Sequence, residues 1–399
     1  MDSTLRVAVV GLGFGAEFVP IYLHHPSISS VVLCDVDGTI ARSVAERYRI
    51  EEWTGSFETI LADDSIDAVH LVSPIPAHAD QSVAVLDAGK HCACTVPMAT
   101  TIADIERIVE AQARAERKYM MMETAVYTRE FLEARRLLEE GTIGRIQLLR
   151  GAHYQDMERW PEYWYGLPPM HYATHAIAPL LTLSQTRAER VTCFGSGEMR
   201  DELHEQYGNP YPVETALFRL VPRRSPAQPV DARSSATPNV ADPIAAEVTR
   251  SLFHTARAYT ESFNVYGELA TFEWQQIEEE PPVLFVMKGQ AEGRTTTVAT
   301  RRLECADRVE LLPEPIRRFT RRGVYDETDA HRSFLQGGGH GGSHPHLVHE
   351  FVSAVLDDRE PTVGAVRAAE ITAAGICAHE SAMDGGRSVD VPVFGQDCG

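Results

Sequence analysis

Gly11, Gly13 and Ala16, within the run Gly11-Leu12-Gly13-Phe14-Gly15-Ala16, have the spacing of a turn that grips phosphate. Each position answers a need of that chemistry: Gly11 permits the tight turn, Gly13 lets backbone approach a pyrophosphate, and a small Ala16 lets the next helix pack close to the strand. The helix start then offers N–H groups and a positive dipole end. Asp35 stands 24 residues beyond Gly11, the separation expected of a carboxylate that binds an adenosine ribose diol. Its charge repels a 2′-phosphate and no arginine follows in Asp35-Val36-Asp37-Gly38, so NAD is the expected dinucleotide rather than NADP. Gly11, Gly13, Phe14, Gly15 and Asp35 are the first candidate cofactor-binding residues.

A second group is rich in imidazole. His171 and His175 are four apart in Pro168 to Leu183, a run that reads as helical, and so share a face. Histidine is the side chain whose ordinary pKa lies near neutrality, which suits it to carry a proton. Either ring can act as base while the other orients a ligand, with Tyr172 as a candidate relay. The HxxxH spacing also suits zinc, but the glutamate of HExxH is missing and no third ligand can be assigned, so no metal is expected. Trp160 and Trp164 lie just upstream and offer a stacking wall for a sugar ring. His340 and His344 sit in GGGHGGSHPH, where Gly337 to Ser343 reads as an exposed loop able to close over a substrate.

The elements that must position these groups fall into two patterns. Leu5 to Val10, Val31 to Cys34, Ala68 to Val72, His91 to Cys94 and Tyr119 to Met122 are short apolar strands. Helices over Ala79 to Ala88 and Ile102 to Ala115, the latter capped by Thr100 or Thr101, separate the later ones. That alternation predicts a doubly wound parallel α/β sheet of the Rossmann type over residues 1–125. Ser73, Pro74, His78 and Glu123 then fall at carboxyl ends of strands, facing the cofactor crevice. After a helix at Arg129 to Glu140 the chain becomes strand-rich, at Ile146 to His153, Arg190 to Gly195, Thr215 to Val221, Ser262 to Tyr266, Thr271 to Trp274, Val283 to Met287 and Thr295 to Arg301. Residues 126–399 thus read as an α+β domain on a large, mostly antiparallel sheet. Pro222 to Pro243 reads as an exposed loop, and helices at His346 to Leu356 and Ala365 to Met383 cover a sheet face or dock back on the first domain.

Composition narrows the partners. With 37 Lys plus Arg against 57 Asp plus Glu, the 399-residue chain has a formal charge of −20, which excludes electrostatic attraction to nucleic acid or an anionic membrane. Neither a leader nor a membrane-length apolar run is evident, so a cytoplasmic protein is expected. Seven scattered cysteines make a poor disulfide framework, and Cys92 and Cys94 read as a reduced, buried pair.

Further segments bring a resemblance. Gly89-Lys90-His91 running to Pro97-Met98-Ala99, Glu139 to Gly144, Phe263 to Gly267 followed by Thr271 to Trp274, and Gly364 to Ser388 together resemble the Gfo/Idh/MocA family over nearly the whole chain. The resemblance implies NAD(P)-dependent oxidation or reduction of a sugar, cyclitol or related polyol, and dimers or tetramers formed through the open face of the second sheet. It places Thr95, Val96 and Pro97 beside the cofactor. The family's Glu-Lys-Pro is here Thr95-Val96-Pro97, and valine can neither ionise nor donate a hydrogen bond. The family's D-x-G-x-H aligns with His171 to His175, keeping the histidine as His175 and replacing the aspartate by His171. On that alignment His175 is the acid or base for hydride transfer at a secondary alcohol or ketone. Loss of the lysine keeps two alternatives open: a glycosidase, lyase or epimerase working by transient oxidation without net redox change, or an inactive NAD-binding regulator.

Overall fold

The computed structural model describes residues 4–223, 240–277, 280–289, 297–321 and 337–395. The chain forms two compact units, one of Met1–Arg129, Asp307–Thr372 and Val393–Gly399, the other of Glu130–Ala306 and Ala373–Pro392. The helix His344–Leu356 therefore belongs to the first unit, and the helix Ala365–Met383 is divided between the two after Thr372. Among the described residues no helix is long and apolar enough to cross a membrane.

The first unit is built on six parallel strands, β1 Leu5–Val10, β2 Ile28–Cys34, β3 Trp53–Thr54, β4 Ala68–Leu71, β5 His91–Cys94 and β6 Tyr119–Met121, in the order β3-β2-β1-β4-β5-β6. This is the doubly wound order, with its reversal between β1 and β4, where the loops after the two strands diverge and leave a crevice. β4 is buried along its whole length and includes His70, whose Nδ1 lies 3.2 Å from the Tyr22 hydroxyl. Cys92 and Cys94 are buried thiols on β5 without a disulfide. Later chain also joins this unit, since Met121 N donates to Val363 O at 2.9 Å.

Three histidines make this unit acid-sensitive. Burial pushes His70 down to about 3, burial and then Arg117 push His91 to about 4, and burial and then His349 push His25 to about 4. Each is depressed in the folded state, so the unfolded chain binds the extra proton first. Their contribution is whole above the free imidazole value of roughly 6.5 and is lost as pH falls toward the folded values, by up to about 1.4 kcal/mol per pH unit for each ring. Urea midpoints should therefore drop between about pH 7 and pH 5, and His70→Leu should flatten that drop. Midpoints that stay level in the parent protein would contradict this account.

The second unit carries nine strands among the described residues: β7 Ile146–Tyr154, β8 Thr186–Ser196, β9 Val213–Pro222, β10 Val240–Ser251, β11 Thr260–Gly267, β12 Ala270–Glu273, β13 Val283–Met287, β14 Val298–Arg302 and β15 Val389–Asp390. Their order is β14-β13-β12-β11-β7-β10-β9-β8-β15, antiparallel except where β10 runs parallel to β7. The expected loop from Pro222 to Pro243 is corrected at both ends, since Pro222 closes β9 and Val240–Pro243 open β10; the stretch 224–239 lies outside the described residues. The helix Thr174–Ser184 covers one sheet face and crosses β7 at Gly151, where a Cβ would stand 2.3 Å from Ala176 O. The other face is open, with Phe194 and Leu217 more than half exposed.

Candidate active site

In the first unit the glycine turn has the conformation its residues were expected to allow. Gly11 adopts φ +87°, and a Cβ there would stand 2.6 Å from Val72 O, so the turn after β1 starts against the end of β4 where only glycine fits. A Cβ on exposed Gly13 would find nothing within 4 Å, which leaves its backbone open to a phosphate, while Gly15 packs on Val9 and Val72. Asp35 Oδ2 accepts from Leu12 N at 2.7 Å and Oδ1 accepts from Asp37 N at 2.9 Å. Each carboxylate oxygen keeps a second lone pair for a ribose hydroxyl. These residues fit a dinucleotide. The segment after the turn is not one helix, however, but Leu12–Gly15 followed by Val19–His24.

Asp35→Ala removes both the ribose acceptor and the charge that opposes a 2′-phosphate. NAD affinity should fall about tenfold to a hundredfold, the worth of a hydrogen bond to a charged group, and discrimination against NADP should narrow. Calorimetric titration with the two dinucleotides measures this. Tighter binding of NADP by the unaltered protein would show the specificity assignment to be wrong.

The crevice loops are pinned from below. His78 Nδ1 lies 2.7 Å from Pro97 O and its Nε2 lies 2.9 Å from Ser73 O, so both ring nitrogens meet carbonyl acceptors. Burial pulls this ring down, but Cys94 and the two carbonyls outweigh it and lift it to about 9. His78 thereby ties the Ser73-Pro74 loop to the Thr95-Val96-Pro97 loop, whose Thr95 N donates to Leu71 O at 3.0 Å and whose Val96 is buried. Glu123 is also fully buried, and Oε1 accepts from Ala125 N at 3.0 Å to cap the turn Thr124–Val126. Both groups shape the loops from within.

His340 and His344 require a correction. Gly337–Gly342 is helical and runs into His344–Leu356, so the expected exposed loop is absent and both imidazoles are buried. The cause is aromatic packing: the Phe14 ring centroid is 6.1 Å from His340 and 5.6 Å from His344, and Phe18 lies 4.5 Å from His344. Glu17 Oε2 lies 3.5 Å from His344 Nδ1. These histidines buttress the glycine turn of the first unit.

In the second unit His171 and His175 do not share a helical face. His171 lies in a 3₁₀ turn, Pro169–Tyr172, and the α-helix begins only at Thr174. The break falls at Ala173, between the 3₁₀ turn and the α-helix. The two rings consequently point to different partners. His171 meets His379 edge to face at 5.1 Å, whereas His175 packs against Tyr172 at 5.4 Å and His153 at 5.2 Å.

Beneath them runs a row of polar residues that sequence reasoning did not find. Glu214 on β9, Arg250 on β10, His153 on β7 and Glu261 on β11 are register partners across four adjacent strands, all on the covered face. Glu261 Oε1 lies 3.6 Å from His175 Nε2 and 4.0 Å from His153 Nε2, and accepts a hydrogen bond from the Tyr259 hydroxyl. Arg250 is fully buried and donates to Tyr172 O (2.8 Å), His153 O (3.3 Å), Ser251 O (2.6 Å) and Gln155 Oε1 (2.8 Å). Burial pulls its guanidinium down to about 10, still charged at neutral pH. Trp164 stands edge-on to Tyr172 at 4.9 Å and to Trp160 at 5.0 Å, and both tryptophans pack on an apolar cluster that includes Met157 and Phe253. A carboxylate-backed imidazole beside an aromatic wall can exchange a proton with a bound hydroxyl.

The first unit thus carries a nucleotide cradle on a doubly wound sheet, and the second an imidazole–carboxylate pair on the covered face of its sheet. Residues 5–123 match the model of the GFO_IDH_MocA oxidoreductase family, NAD-binding Rossmann fold. Among curated proteins it is 24% identical over 200 residues to a glycosyl hydrolase family 109 protein of Saccharopolyspora erythraea, covering 45% of this chain and 44% of that one. It is 28% identical over 164 residues to inositol 2-dehydrogenase of Salmonella typhimurium, covering 40% and 48%. The chain spans about half the length of the curated relatives it matches. Among solved structures, levoglucosan dehydrogenase in complex with NADH superposes with a TM-score of 0.71 at 19% identity, covering 98% of this chain and 100% of that one. An oxidoreductase domain protein from Kribbella flavida gives 0.72 at 17%, covering 98% and 100%. These likenesses bear on the fold.

Proposed function

We propose that the protein is an NAD-dependent oxidoreductase that moves hydride at a secondary alcohol or ketone of a sugar, cyclitol or glycoside, with His175 as acid or base. The observation that carries this reading is the pair of His175 and Glu261 on the covered face of the second sheet. Bound NAD supplies a two-electron acceptor at the carbon that gives up hydride. Gly11, Gly13 and Asp35 bind and orient the dinucleotide, and His78 and Glu123 fix the loops around it. His175 takes the hydroxyl proton, and the imidazolium so formed has the Glu261 carboxylate, 3.6 Å from Nε2, as its counter-ion. Val96, standing where the resembling family has lysine, cannot take that proton, which supports an imidazole in the role. Trp160 and Trp164 present the apolar surface that the face of a sugar ring favours.

The curated relatives described as glycosyl hydrolase family 109 proteins favour a second reading, hydrolysis of a glycoside with transient oxidation and no net redox change. A panel of polyols and glycosides, followed by NADH absorbance and by product release, separates the two. Alcohol turnover with stoichiometric NADH supports the first reading, glycoside cleavage without NADH accumulation supports the second, and neither product from any member sinks both. A cytoplasmic location and self-association through the open sheet face that bears Phe194 and Leu217 complete the proposal.

A further inference from the structure

Glu214, His379 and the backbone of Met170-His171 form a second network in the same unit. Glu214 is fully buried, and its two oxygens are divided between partners: Oε2 accepts from Met170 N at 2.9 Å, and Oε1 lies 2.7 Å from His379 Nδ1. His379 stands on the helix Ala365–Met383 and keeps its side chain one-fifth exposed. The same helix approaches so closely that a Cβ on Gly375 would be 2.2 Å from Met170 O. The Met170-His171 segment is thus held at its amide by a carboxylate, at its carbonyl by a glycine contact, and at the His171 ring by the edge-to-face imidazole.

We propose that Glu214 and His379 are positioning residues that hold His171 in place as a substrate-orienting imidazole and so leave proton transfer to His175. The placing of substrate in this unit rests on the reading above. Facing His171 are His379 from the long helix and, behind it, Glu214 from β9. Burial, and then His379, push His171 down to about 3. A neutral imidazole offers one donor and one acceptor, which suits recognition of a hydroxyl.

The test follows the ring and the rate separately. Nitrogen-15 NMR of histidine-labelled protein should show His171 neutral across the neutral and mildly acidic range, and His379→Gln should move its titration upward, with burial still holding it below the ordinary imidazole value. Glu214→Gln should act in the same direction, and His379→Gln serves if that buried variant does not fold. On the substrate found by the panel above, His379→Gln should lower kcat by about 10²-fold, the scale of a misplaced contact, with NAD affinity unchanged. A His171 ring that titrates near its ordinary value in the parent protein, or that does not respond to His379→Gln, overturns the proposal. Since the NMR readout needs no substrate, an inactive panel would count against the proposed function and leave this assignment standing on its own result.

Discussion

Turnover by the His175→Gln protein is expected to fall by about 10²- to 10⁴-fold, the range that a positioned acid or base contributes. Glutamine keeps much of the volume of the side chain and can still hydrogen-bond, but it cannot accept the hydroxyl proton. The packing that holds residue 175, from Tyr172 and His153, should survive the change. NAD affinity should be unaltered, because Gly11, Gly13 and Asp35 belong to the other unit. Glu261→Gln provides the matching half of the experiment. It removes the counter-ion 3.6 Å away while leaving the base, so its loss should be smaller. Steady-state kinetics with calorimetric NAD titration decides the matter. Full turnover in His175→Gln would dispose of the imidazole mechanism, and parallel loss of turnover and NAD binding would mark His175 as structural.

The nucleotide half of this site was legible because its chemistry is local. Gly11 to Ala16 and Asp35 are bound to short-range requirements, a positive φ, an open backbone and a strand-end carboxylate, and each can be judged within a few residues of its neighbours. The proton-handling half was legible only in part. His175 could be singled out, but the partners that decide its chemistry, His153 and Glu261, come from strands separated by a long stretch of chain and meet through sheet register. A signal did exist: Ile244, Ala246, Val248 and Arg250 alternate toward the covered face, so the stripe of apolar residues ends in a charge. It went unread because β10 begins inside a proline-containing stretch that resembles a loop. The expected helix joining His171 to His175 is interrupted at Ala173, between a 3₁₀ turn and the helix Thr174–Ser184. His379 carried no signal at all, since its meaning arises only where the helix Ala365–Met383 passes Glu214.

Arg250 should be the most costly residue to lose outside the proton-transfer pair. Its guanidinium is wholly buried, and two of its four hydrogen bonds reach the backbone carbonyls of Tyr172 and His153, the two residues that flank His175, while the others go to Ser251 O and Gln155 Oε1. It also lies 5.3 Å from the Tyr172 ring centroid and stands between Glu214 and His153 in strand register. Arg250→Met preserves length and apolar stem but withdraws the donor from three buried carbonyls and removes a cation from a row that contains two carboxylates. Removing one partner from a buried charged network costs about 3–5 kcal/mol, so the urea midpoint should fall sharply, with turnover falling too. Arg250→Lys separates charge from geometry. An ammonium restores the cation but cannot span the same acceptors with a planar fork, so stability should recover in part and turnover less. If Arg250→Met unfolds at the parent midpoint, the row is not what holds Tyr172 and His153 in place. If Arg250→Lys restores turnover fully, the fork geometry is irrelevant and charge alone sets the floor under His175.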